Sequence, residues 1–250
     1  MARSRSKLEQ HDGVGGRLAA RIARADFRAI ERALDLDGAA VLPGILGGAE
    51  CKRLAAMYDD DALFRSTVVM ARHGYGKGEY KYFAYPLPEP VAFLRDRLYQ
   101  ALMPIANRWN AALGESSRYP ETHARYVELC HAAGQTRPTP LLLRYGEGDY
   151  NCLHQDLYGD LVFPLQVAFL LSDPENDFTG GEFVMTEQRP RMQSRPLVVP
   201  LTQGDAVVFA VRHRPVQGLR GVYRMNLRHG VSRVRSGRRL TAGIIFHDAR

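Results

Sequence analysis

Residues 144–156 read Arg144-Tyr145-Gly146-Glu147-Gly148-Asp149-Tyr150-Asn151-Cys152-Leu153-His154-Gln155-Asp156. The stretch ends in a histidine and a carboxylate two positions apart. On a strand, residues i and i+2 point to the same side, so His154 and Asp156 can face one ion from one edge. His229, near the end of another β-rich run, is the candidate third ligand. Two imidazoles and one carboxylate on one face leave the opposite positions open. That donor set suits non-haem Fe(II) that activates O2.

Working outward from this stretch, β-rich runs separated by Gly, Asp, Pro and Asn continue to the C-terminus. They cover 140–145, 162–171, 181–186, 196–201, 205–211, 222–228 and 239–247. Short strands with turn signals between them predict a sandwich or barrel, not a parallel α/β sheet. Upstream the pattern is helical. Leu18, Ile22, Phe27, Ile30 and Leu34 recur at helical spacing and predict one helix over 18–34 with a basic, solvated face. A second helix is expected over 49–58. A longer one carries Val91, Leu94, Leu98, Leu102, Ile105 and Trp109, with Pro104 expected to kink or split it.

The 250 residues are 45% hydrophobic and 24% charged, an ordinary globular composition with no apolar run long enough to span a bilayer. The formal net charge of +7 favours anionic partners such as nucleic acid. Three widely spaced cysteines, Cys51, Cys130 and Cys152, form no disulfide framework, and no apolar segment follows the basic start Met1–Lys7. Both features point to a reducing, cytoplasmic setting without a secretory leader.

The whole order of motifs is Arg144-Tyr145, His154-Gln-Asp156, Gly180-Gly-Glu-Phe183, Gly204-Asp205, His229 and Gly237-Arg-Arg239. In this the sequence resembles the Fe(II)- and 2-oxoglutarate-dependent dioxygenases, over roughly residues 38–250 and most sharply from 139 onward. The resemblance implies a mainly β fold with flanking helices: a double-stranded β-helix, or jelly roll, preceded by a helical N-terminal region. It implies His154, Asp156 and His229 as iron ligands and as the catalytic centre. It also implies a basic residue about ten positions after the distal histidine, which falls on Arg239. A guanidinium forks onto a carboxylate with two parallel hydrogen bonds, which suits the distal end of 2-oxoglutarate. Arg238 is the second choice and should face the other side of the strand. Tyr145, nine positions before His154, is the expected partner of Arg239 for the same carboxylate. The cofactors implied are Fe(II), 2-oxoglutarate as co-substrate, and O2. The domain reading is a basic tail and amphipathic helix over 1–37, then a dioxygenase domain over 38–250.

A narrower resemblance is to the AlkB-type nucleic-acid dealkylases, including bacterial oxygenases acting on damaged DNA. It implies oxidative demethylation or dealkylation of a base that is single-stranded or flipped out of the duplex. Two positions depart from the pattern. Leu143 stands where that family has asparagine, and Ile245 stands where it has a second arginine. Those two residues handle the proximal end of 2-oxoglutarate; Asn226 or Arg228 are candidate substitutes. Residues 72–86, Arg-His-Gly-Tyr-Gly-Lys-Gly-Glu-Tyr-Lys-Tyr-Phe-Ala-Tyr-Pro, interleave cations and aromatics on a Gly-rich, mobile segment. This composition suits single-stranded nucleic acid, and Arg72, Lys77, Tyr80, Lys81 and Tyr82 are its candidate contacts. Two other readings stay open: a hydroxylase of a protein side chain, amino acid or small metabolite, and a non-catalytic jelly-roll metal sensor.

Overall fold

The computed structural model describes residues 15–250 apart from 175 and 190. The basic tail expected over the first seven residues lies outside the described residues.

Helix α1 spans 15–24 and α2 spans Phe27–Asp37. The sequence predicts one helix here, and the structure breaks it at Asp26. That carboxylate caps α2 by accepting from the Arg28 and Ala29 backbone N–H groups. The cap satisfies donors that a continuous helix would have bonded internally. Strand β1 (Ala39–Leu42) and α3 (Gly48–Ala56) follow, then β2 (Phe64–Val69), β3 (Gly76–Lys77) and β4 (Glu79–Phe83). Helix α4 runs from Glu89 to Ala112 and passes through Pro104 without being split. Pro104 and Gln100, whose carbonyl loses its helical donor, are both exposed residues. Leu98, Leu102, Ile105 and Trp109 hold the helix on both sides of that point. Helix α5 (His123–Ala132) completes the helical layer.

The remaining strands are β5 (Leu141–Tyr145), β6 (Tyr150–His154), β7 (Leu165–Leu170), β8 (Phe178–Gly180), β9 (Phe183–Gln188), β10 (Arg195–Val199), β11 (Ala206–Ala210), β12 (His213–Gly218), β13 (Gly221–Val231), β14 (Val234–Gly237) and β15 (Arg239–Ile244). The first sheet has the order β1-β11-β7-β15-β5-β4-β2. The second has the order β10-β9-β13-β6-β3, with β12 also on β13. Strands β8 and β14 form a separate antiparallel pair, and the other strands from β5 onward mostly alternate between the two larger sheets, as in a jelly roll. The fold is mainly β with flanking helices.

The core explains the arrangement. Every residue of β11 is buried. Phe169, Phe183, Phe209 and Phe246 belong to one cluster with Leu18, Ile22, Ile30 and Leu34 of the first two helices. The first sheet is thus covered by helices on its outer side, while its inner side faces the second sheet. No described helix is long and apolar enough to cross a membrane.

Residues 72–86, read from the sequence as a Gly-rich mobile segment, hold β3 and β4, and the overlapping segment 64–83 belongs to the sheets. It contributes β2 and β4 to the edge of the first sheet and β3 to the edge of the second. Its glycines serve tight packing: at Gly76 (φ 123°) a Cβ would lie 2.4 Å from the Tyr150 carbonyl oxygen. Only glycine fits that combination of dihedral and space.

Candidate metal and co-substrate site

Strand register places the two histidines. His229 of β13 lies directly across from His154 of β6, and the ring centroids are 4.3 Å apart. Strand β6 ends at His154, so Asp156 reaches the same point from just beyond it. Ligand atoms of His154, Asp156 and His229 all lie within 4.8 Å of one another. The His154 Nδ1–H group donates to the Cys152 carbonyl at 2.8 Å, which turns Nε2 toward the cluster. His154 Nε2 is 3.5 Å from Asp156 Oδ1, and His229 Nε2 is 3.3 Å from Asp156 Oδ2.

The carboxylate is held from behind. Tyr158 donates its hydroxyl to Asp156 Oδ1 at 2.6 Å, and Gln166 Nε2 donates to Oδ2 at 2.7 Å. Tyr82 in turn donates to the Tyr158 hydroxyl at 2.9 Å. Burial alone would favour the neutral acid, but the hydrogen bonds and charge of the two imidazoles hold Asp156 well below the usual carboxylate range. Burial pushes His154 down, and the adjoining Asp156 more than reverses it, leaving His154 raised. His229 is lowered by burial and by the charge of His154.

The cluster opens into a cavity of about 510 Å³ between the two sheets. At its inner end stands Arg239, which is 2% exposed and directly across from Tyr145 in the β15–β5 register. Its Cζ lies 5.7 Å from the Tyr145 ring, and Tyr145 is fully buried with its hydroxyl 3.4 Å from Asn151 Nδ2. Arg239 Nε and Nη1 are buried and have no hydrogen-bond partner in the protein. Burial pulls its pKa down to about 10, against the pull of Tyr145 and Glu182. Gly181 makes room for it: a Cβ there would approach Arg239 Cδ to 2.8 Å. A buried guanidinium without acceptors is costly unless an anion completes it.

The donor set therefore fits the implied groups. Two imidazole nitrogens and one carboxylate oxygen match Fe(II) with open positions. The unpartnered Arg239 beside Tyr145 matches a carboxylate at the far end of a short dicarboxylic acid.

Other expected residues distribute unevenly. Tyr80 and Tyr82 line the cavity. Arg72 and Lys77 are exposed and do not line it. Lys81 is a correction: it is 8% exposed, bonds the Tyr58 carbonyl and pairs with Asp61. It sits one residue from two cavity tyrosines on β4, and alternation turns it to the opposite face. Arg238 is exposed on the side away from Arg239 and lines a separate groove with Glu79 and Arg144. Neither Asn226 nor Arg228 lines the cavity; Asn226 instead accepts from Gln155. Leu143 and Ile245 pack with Tyr82 and Leu141 in a small apolar cluster. Thr241 and Gln166 are polar lining residues that the sequence reading missed. Gln166 carried a signal, being one polar residue inside the apolar run 165–171.

Residues 78–249 match a protein family described as oxygenases catalysing oxidative methylation of damaged DNA. An uncharacterized protein of Mycobacterium tuberculosis H37Rv is 53% identical over 167 residues, 67% of this chain and 72% of that protein. Among solved structures, a 2OG-Fe(II) oxygenase family oxidoreductase from Burkholderia pseudomallei aligns with a TM-score of 0.55. It is 16% identical and covers 90% of this chain and 93% of its own. A Trichoplax adhaerens prolyl hydroxylase aligns with a TM-score of 0.54 at 15% identity, covering 89% of each chain. These structures share the fold. The chain belongs to the matched oxygenase family and is a 2-oxoglutarate- and Fe(II)-dependent oxygenase, an oxidoreductase that uses O2.

Proposed function

We propose that this oxygenase removes alkyl groups from damaged nucleic-acid bases, taking a base that is single-stranded or flipped out of a duplex. The observation that carries the reading is the cavity itself. It ends on the His154–Asp156–His229 cluster and is lined by Tyr80, Tyr82 and Tyr158, whose rings suit a flat aromatic substrate. The family description, damaged DNA, supports the same substrate class.

Fe(II) held by His154, Asp156 and His229, together with 2-oxoglutarate, supplies the means to hydroxylate a C–H bond with O2 while 2-oxoglutarate becomes succinate and CO2. Arg239 and Tyr145 receive the distal carboxylate and so fix the orientation of the co-substrate. Tyr158 and Gln166 hold both oxygens of Asp156 and so aim the carboxylate at the ion. Buried side chains exclude bulk water from the inner half of the cavity. Tyr80 and Tyr82 contact the base, and Arg72 and Lys77 contact the flanking backbone. On an N-alkyl base, hydroxylation of the attached carbon lets that carbon leave as an aldehyde and restores the base.

The test is succinate release with added Fe(II), in the presence and absence of methylated single-stranded DNA. The expected result is DNA-stimulated release, lost in Asp156→Ala, whose apoprotein also binds the metal more weakly. Iron-dependent release that ignores DNA would overturn the substrate and redirect the search to proteins and metabolites. No release under any condition would favour a metal-sensing role.

A further inference from the structure

The turn between β2 and β3 carries a feature that neither the metal cluster nor the co-substrate site uses. His73 and Tyr75 are both exposed, and their rings are stacked, with centroids 5.3 Å apart and planes 22° from parallel. Tyr75 is 51% exposed yet lines the cavity, so the pair stands at its mouth. Large aromatic rings left in water at a cavity rim invite a stacking partner.

The turn is held in place. His73 and Tyr75 backbone N–H groups both donate to the Met70 carbonyl, and Met70 N–H donates to the Gly78 carbonyl. Met70 is fully buried. Gly74 and Gly76 adopt φ of 71° and 123°, which turn the chain without strain. The Tyr75 carbonyl accepts from Cys152 N–H at 2.9 Å, and the Cys152 carbonyl accepts from His154 Nδ1. Two hydrogen bonds therefore connect the stacked pair to a candidate metal ligand. Flanking the pair in sequence, Arg72 and Lys77 are exposed, and neither forms an ion pair among the described residues. The nearby acids Asp59 and Glu79 are engaged by Arg144.

We propose that His73 and Tyr75 form a stacking platform for the nucleotide next to the one that enters the cavity, with Arg72 and Lys77 meeting its phosphates. This rests on the nucleic-acid reading above and specifies how the strand lies across the mouth. The platform needs no particular base, because every base has a π-face. Its partner is a single strand, since a base paired and stacked in a duplex offers no free face.

Fluorescence anisotropy with a short labelled oligothymidylate tests it, over a salt series. Tyr75→Ala should weaken binding by roughly 5- to 150-fold, the range for loss of one base–aromatic stack. Tyr75→Phe keeps the ring and should stay within about 2-fold of wild type. The Arg72→Ala/Lys77→Ala double variant should reduce the salt slope by about 1.4, or 0.7 per lost phosphate contact on a single strand. Stabilisation by added 2-oxoglutarate and metal should match wild type in all of them, which reports an intact inner site. Tight binding by wild type that Tyr75→Ala leaves unchanged overturns the platform and leaves the nucleic-acid reading standing. Equal losses in Tyr75→Ala and Tyr75→Phe also overturn it, because the hydroxyl and not the ring would then matter. A wild-type protein with no affinity for the oligonucleotide at low salt overturns the platform and the nucleic-acid reading together.

Discussion

Arg95, Arg214 and Arg239 are buried among the described residues, and the surroundings of Arg95 and Arg239 are opposite. Arg95 of α4 is 1% exposed. It donates to the Ile245 and Phe246 carbonyls, to the Tyr85 hydroxyl and to Asp248 Oδ1 at 2.7 Å. Asp248 is itself fully buried and also accepts from Tyr85 and pairs with His131. Arg239 of β15 is 2% exposed and makes no hydrogen bond through Nε or Nη1. Its neighbours are the rings of Tyr145 and Phe178. Both charges carry the desolvation cost of burial. One is offset within the protein and ties the long helix to the C-terminal segment. The other is offset only when an anion enters. A buried charge with a full set of acceptors builds the scaffold; a buried charge without them is binding capacity held in reserve.

The same substitution at both sites should therefore give opposite results. Arg95→Met leaves Asp248 buried without its cation, and should cost about 3–5 kcal/mol of stability. Urea unfolding measures this; a loss below about 1 kcal/mol would remove Arg95 from the scaffold. Arg239→Met removes a charge that has no partner in the ligand-free protein, so stability without ligand should hold or rise. Its 2-oxoglutarate requirement should rise about 100-fold, within the range for losing one side of a buried charge pair. Arg238→Met, on the exposed face, should change it by less than about 2-fold. If Arg238 proved the more sensitive, the co-substrate would lie in the groove on the other side of the strand.

The contrast also shows what could be read from the sequence. The jelly-roll strands were legible because apolar runs and turn residues alternate cleanly from 139 onward, and all seven β-rich runs coincide with β5, β7, β9, β10, β11, β13 and β15 within a few residues. The His154 and Asp156 positions were legible because local spacing on one strand edge carries them, whereas Arg239 was legible only through the family resemblance. The strands within 72–86 were not, because glycines that permit close packing look the same in sequence as glycines that permit motion. Gly78, for example, sits where a Cβ would come 2.8 Å from the Tyr145 ring. Gln166 was missed because its role depends on β7 lying beside β11, with Gln166 across from Phe209, and Tyr158 because its hydroxyl turns back onto Asp156 from the loop after β6. The 212–228 region is rich in arginine. In the structure Arg214 is buried against Glu187 and Arg224 pairs with Glu115, so only part of that charge is free.

The smallest expected effect concerns acid. Two histidines adjoin the Arg95 cluster: His123, whose Nε2–H donates to the Phe246 carbonyl at 2.8 Å, and His247, whose Nδ1 accepts from Phe163 N–H. Burial, followed by the charge of Arg95, lowers His123 to about 3 and His247 to about 4. The unfolded chain takes up these protons near the ordinary imidazole pKa of about 6.5. Between that value and the folded ones the unfolded state binds more protons, so stability must fall as the pH is lowered from about 6.5 toward 4. His154, raised by Asp156, acts in the opposite sense and cannot supply this slope. Arg239, at about 10, keeps its charge throughout. The melting temperature should accordingly drop over this window. His247→Asn, which retains an acceptor for Phe163, should flatten the drop by a few degrees even if it lowers the melting temperature at every pH. A slope unchanged by that substitution would place the acid sensitivity outside the scaffold, and would blur the division between a satisfied cluster that titrates with folding and an unsatisfied one that waits for its ligand.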